Sequence, residues 1–128
     1  MLPALAWLLV ITLLSTKGNV PLPKFNLIGA DKFGHAAAYC LLAWLILLGF
    51  TWAVPARRFG FSQALGAFLF ASGYGILMEF VQYTFFPNRF FEYDDMLANC
   101  IGAAIGWFVF VRIFPARNRI FNSVHPKS

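Results

Sequence analysis

Asp31 and His35 stand four residues apart, as do Asp95 and Asn99, while Glu79 and Gln82 stand three apart. On helices each of these spacings puts both polar side chains on one face. An imidazole beside carboxylates suits proton transfer or, with further acids, a divalent metal. With Arg89 and Lys32 nearby, the same groups would recognise a polar headgroup. The stretch Gly73–Gly106 holds four of the five acidic residues, Glu79, Glu92, Asp94 and Asp95. The fifth, Asp31, lies beside Lys32 and His35.

These groups must be positioned by elements that read as membrane helices. Of 128 residues, 60% are apolar and only 12% are charged, and phenylalanine alone supplies 16. A typical soluble domain carries roughly 25% charged residues, and a small one lacks the interior to hide so much apolar surface. The net charge is +5, but the basic residues sit at segment ends rather than in a stripe, which argues against nucleic acid as partner. The apolar runs predict helices at about 2–15, 33–54, 64–86 and 96–114, with a basic tail over 115–128. The expected fold is all-α, a single polytopic membrane domain over residues 1–128 built as a four-transmembrane-helix bundle.

The first helix is short. Pro3 suits its start, its leading residues lack Lys and Arg, and no convincing cleavage site follows, so a retained membrane helix is preferred over a signal peptide. Residues 17–32, with Gly18, Pro21 and Pro23, form a connector, and Pro55, Pro87 and Pro115 close the later helices. Four spans put both termini on one side. Arg57, Arg58, Arg112, Arg117, Arg119 and Lys127 share that side, against Lys17, Lys24, Lys32 and Arg89 opposite, so both termini are expected in the cytoplasm. The acids then gather at the outer interface.

Three helices thus bring Asp31, Lys32, His35, Glu79, Gln82, Asp95 and Asn99 to one level, with Tyr39 a turn deeper than His35 and Arg89 in the loop before Asp95. These residues other than Tyr39 form the candidate binding set. Glu79 lies roughly 10 Å inside its helix by helical rise. An ionised carboxylate facing lipid there costs several kcal/mol, so it must face the bundle interior, with Arg89, Lys32 or His35 as natural partners. His35, Glu79 and Asp95 are the acid–base candidates. Polar side chains also serve as glue between membrane helices, at about 0.6 kcal/mol per pair. Gly102 and Gly106 have the small-xxx-small spacing for close packing, and Gly75 and Gly73 are further packing candidates. Cys40 and Cys100 read as small buried hydrophobes.

In order, Asp31-Lys32-x-x-His35-x-x-x-Tyr39, Gly75-x-x-x-Glu79-x-x-Gln82, Arg89, Asp95, Asn99, Gly102 and Gly106 resemble the VanZ-like family of small bacterial membrane proteins, over about residues 31–110. One position departs: similar proteins commonly carry a small polar residue, often serine, where this chain has Glu92. The resemblance implies a multi-pass protein of the bacterial inner membrane. Through the founding member it implies a link to reduced susceptibility to the lipoglycopeptide teicoplanin.

Three functions follow. The cluster binds or modulates a cell-envelope component, with membrane lipids, a lipid-linked or cell-wall-associated ligand or a lipoglycopeptide as partner. Alternatively it is an enzyme acting on a lipid-linked headgroup, with His35 and Glu79 or Asp95 as acid and base, or with Asp31, His35, Glu79 and Asp95 around a divalent metal. There is no serine nucleophile motif and no phosphate loop, and neither a cofactor nor a metal is expected. In the third reading the cluster only holds the bundle together. A homo-oligomer through the Gly102/Gly106 face is compatible with each.

Overall fold

A computed structural model describes residues 1–17, 29–53, 60–87 and 89–124, with the side chains of Ala30 and residues 114–124 left aside. The connector at 18–28, with Lys24, lies outside the described residues, as do Arg57, Arg58 and Lys127 and the side chains of Arg117 and Arg119.

The regular elements of the described residues are all α-helices, α1 (Leu2–Thr16), α2 (Ala30–Ala53), α3 (Phe61–Phe85) and α4 (Tyr93–Val124). Asp31–Ala53, Phe61–Phe85 and Tyr93–Ile113 are each long and apolar enough to cross a membrane. The 15 residues of α1 rise only about 22 Å, short of a hydrocarbon core of about 30 Å. Pro3 sits in the first turn of α1, where its missing N–H costs no helical bond. Gly60 precedes α3, and its N–H donates to Oε1 of Gln63 at 3.0 Å, satisfying an otherwise orphaned helix-end donor.

Two boundaries differ from the sequence expectation in ways that matter. α2 begins at Ala30 rather than 33, which puts Asp31 in its first turn. α4 begins at Tyr93, with Asp94 and Asp95 in its first turn. Helix N-termini favour carboxylates, and these acids extend the helices beyond the purely apolar runs. At the other end α4 continues past Pro115 to Val124. A proline deprives one carbonyl, here that of Val111, of its donor, and residues 116–124 contain no further proline or glycine to end the helix.

α2 and α4 form the most extensive helix pair, followed by α3 with α4. Lys32 meets Asp95, His35 meets Asn99, Ala36 meets Gly102 and Cys40 meets Gly106. Residue numbers rise together along this seam, so α2 and α4 run parallel, with α3 returning between them. A Cβ at Gly102 would overlap the carbonyl oxygen of Ala36, and one at Gly106 that of Cys40. Only glycine allows this backbone approach. The Gly102/Gly106 face is therefore filled by α2 of the same chain. Gly75 likewise admits Asn99, whose Cβ lies 2.7 Å from where a Cβ of residue 75 would stand. Gly73 is different: it is exposed, with nothing within 4 Å of the corresponding point, so among the described residues it packs against no other helix.

Deeper along the seam the core closes with Leu42, Leu47 and Phe110, all nearly inaccessible. Trp44 meets Phe110 edge-on, with centroids 5.1 Å apart. α1 lies against α2 and α3. Trp7 donates from Nε1 to the carbonyl of Ala38 at 2.9 Å, and the Thr12 and Tyr74 hydroxyls meet at 2.5 Å. Cys40 and Cys100 are half-buried free thiols.

Candidate functional site

The parallel seam brings the first turns of α2 and α4 together at one end of the bundle. The end of α3 and the end of α1 reach the same level. Lys32 spans the seam, its Nζ 3.3 Å from Oδ1 of Asp95 and 3.5 Å from Oδ2 of Asp94. The two pairs are not equivalent. The Asp95 side chain is 7% exposed and that of Asp94 is 75% exposed, so the Asp95 contact is the less screened.

His35 sits one turn deeper. Its Nδ1 lies 3.1 Å from Oδ1 of Asn99, a residue 1% exposed. An amide oxygen only accepts, so Nδ1 carries the proton. Nε2 then faces Oδ2 of Asp95 at 3.7 Å and Oδ1 of Asp31 at 4.0 Å. Both separations exceed hydrogen-bond length. Asp95 thus divides its oxygens, one toward Lys32 and one toward His35. The Asn99 Nδ2 is buried and has no hydrogen-bond partner among the described residues.

Glu79 approaches from α3, six residues before its end at Phe85, or about 9 Å by helical rise. It is 3% exposed, and among the described residues it has no hydrogen bond or ion pair. One turn before it, Gly75 packs on Asn99, which sets Glu79 beside the α2–α4 seam. Gln82, also buried, turns to α1 and donates from Nε2 to the Ser15 carbonyl at 3.1 Å. It fastens the short helix rather than joining the carboxylates. Arg89 is exposed in the loop before α4 and makes no ion pair among the described residues.

Outside the membrane span, Glu92 has its carboxyl raised above the usual range. Desolvation is the main cause, followed by the negative charge of Asp95. The acidic loop that departs from the family pattern is therefore in electrostatic contact with the site. Around it stands an aromatic rim. Phe91 packs against Phe80, Tyr83 and Tyr93 at centroid distances of 5.0, 5.8 and 4.9 Å. Exposed Phe33, Phe85 and Phe90 extend it. Aromatic belts of this kind mark the headgroup level of a membrane.

Asp31, Lys32, His35, Asp95 and Asn99 are thus brought into one connected group, with Glu79 beside it and Arg89 at its edge. Two pairings drawn from sequence take another form. Lys32 goes to Asp95 and Asp94 rather than to Glu79, and His35 goes to Asn99. Sequence reasoning missed the polar contacts of α1, from Trp7, Thr12 and Ser15. The signal available was the indole and hydroxyl donors of Trp7 and Thr12, which need partners inside an apolar helix.

A family model described as VanZ/LLP1 matches residues 3–115, and the chain belongs to that family. The match begins within α1 and so takes in all four helices. Neither curated proteins nor solved structures yield a match.

Proposed function

We propose that this member of the VanZ/LLP1 family binds the polar headgroup of a cell-envelope component at the outer face of the bacterial inner membrane. The ligand is a membrane lipid, a lipid-linked cell-wall precursor or, by the family's founding member, a lipoglycopeptide. The carrying observation is the pair of groups left over once the seam is satisfied. Among the described residues Glu79, 3% exposed, has no partner, and the exposed Arg89 makes no ion pair. A deep ionisable group is costly in a membrane protein, and its retention there points to use. The aromatic rim supports a position of the cluster at headgroup depth, with Arg89 at its edge as the cation for an entering group.

The test uses the full chain in nanodiscs, with lipid binding read by native mass spectrometry and susceptibility to glycopeptides read in expressing cells. Glu79→Gln and Arg89→Ala should each weaken binding tenfold or more. If both variants express well and change neither readout, the proposal fails.

A second reading, polar glue, draws support from Lys32–Asp95 and His35–Asn99, which both join α2 to α4. It predicts that Glu79→Gln lowers stability, with function falling only in proportion.

A further inference from the structure

We propose that Asp31, His35 and Asp95 hold a divalent first-row transition ion of the Zn²⁺ class between the first turns of α2 and α4. One donor atom from each residue lies within 4.8 Å of the other two. With bonds of about 2.1 Å, two ligands stand about 3.0 Å apart at a right angle and about 3.6 Å apart at 120°. The His35 Nε2 to Asp95 Oδ2 separation of 3.7 Å is close to the wider value. The 4.0 Å to Asp31 Oδ1 closes with a small rotation of a side chain that is 67% exposed.

Two independent features point to an occupant. The first is the orientation of His35. Its Nδ1–H is spent on the buried carbonyl oxygen of Asn99, leaving Nε2 directed at two carboxylate oxygens with no hydrogen bond to either. A metal-bound histidine is commonly fixed in this way, through its second nitrogen and a protein oxygen. A bare Nε2 lone pair facing two carboxylates is repulsive unless a proton or a metal cation lies between them. The second is Glu79, 3% exposed and without a hydrogen bond or ion pair among the described residues, one turn beyond the Gly75 that packs on Asn99. One nitrogen and two or more carboxylate oxygens suit Zn²⁺ better than Mg²⁺, which seeks an all-oxygen octahedron.

The ion is separate from headgroup recognition, and each can be tested without the other. The full chain is purified in detergent, stripped with chelator and titrated calorimetrically with ZnCl₂ in the absence of added lipid. One equivalent should bind, with Mg²⁺ at least 100-fold weaker, and Co²⁺ should give the visible d–d bands of a four- or five-coordinate ion, altered in His35→Gln. Asp31→Asn and His35→Gln should each weaken Zn²⁺ binding tenfold or more, while Asp94→Asn should change it less than threefold. Asn99 is a positioning residue: Asn99→Leu should cost 10–100-fold, and Asn99→Asp, which keeps an acceptor, should restore most of it. Asp31 is largely exposed, so Asp31→Asn keeps the test decisive if a buried variant fails to fold. Absence of saturable binding overturns the proposal, as does unchanged affinity in both Asp31→Asn and His35→Gln. If a proton fills this role, His35 will be an imidazolium by NMR in the metal-free and zinc-treated protein alike, and the proposal falls. Loss of headgroup binding with zinc binding intact would refute only the recognition reading.

Discussion

The Nδ1 of His35 and the Oδ1 of Asn99 meet at 3.1 Å across the α2–α4 seam, and this bond sets which way the imidazole faces. Asn99→Leu removes the acceptor and leaves a donor in a largely closed site. A stranded buried donor costs about 1–3 kcal/mol. The variant should therefore unfold at lower temperature in detergent, and Asn99→Asp should recover part of the loss. Equal melting of Asn99→Leu and wild type would show that the bond is immaterial to the fold.

The glycines make a sharper contrast. Gly102→Ala and Gly106→Ala each push a methyl into a backbone carbonyl of α2, which no side-chain rotation relieves. Overpacking of this kind typically costs about 1–3 kcal/mol. Gly73→Ala meets open space and should gain up to about 1 kcal/mol from helix propensity. Thermal denaturation of the three variants side by side reads both signs.

Lys32 and Arg89 should separate stability from binding. Lys32→Met leaves Asp95, 5% exposed, without its cation and should lower the melting temperature distinctly. Arg89→Ala removes an exposed group that makes no ion pair among the described residues and should shift stability by less than about 0.5 kcal/mol. Its effect should appear in headgroup binding alone.

The Glu92 carboxyl gives a pH dependence in the metal-free protein. Its folded-state value lies above the unfolded one, so the folded state holds the proton more tightly. Its contribution is fully present below the unfolded value and is lost as pH rises through the folded value. Glu92→Gln should therefore melt higher than wild type at pH 8 and little differently at pH 4. The group is exposed, so the gain should stay below about 1 kcal/mol. A gain at pH 4 that vanishes at pH 8 would reverse the assignment.

Much of this was legible in residue types. The apolar runs announced α2, α3 and α4, and paired spacings such as Asp31/His35 and Asp95/Asn99 located the polar level. The small-xxx-small spacing of Gly102 and Gly106 signalled close packing, but not against what. The receiving residues, Ala36 and Cys40, have the same spacing, yet nothing in either run states that the two helices lie parallel. Rotation was the harder quantity. Helices that are apolar nearly all round carry no amphipathic face to fix which side turns inward. Hence Lys32 looked available to Glu79, whereas the rotation of α2 gives it to Asp95. The start of α2 at Ala30 and the passage of α4 through Pro115 depend on single residues, where helix ends are least determined by pattern.

The parallel seam also has a consequence for how the protein is made. Lys32 precedes Asp95 by 63 residues, and synthesis at about 5–20 residues per second puts about 3–13 s between their emergence from the ribosome. For that interval α2 meets the membrane with its lysine and histidine unmatched and its Ala36–Cys40 groove unfilled. The last helix to be inserted supplies both the counter-charges and the glycines. A chain stalled before α4 is therefore an orphan that quality-control proteases can distinguish from the finished bundle.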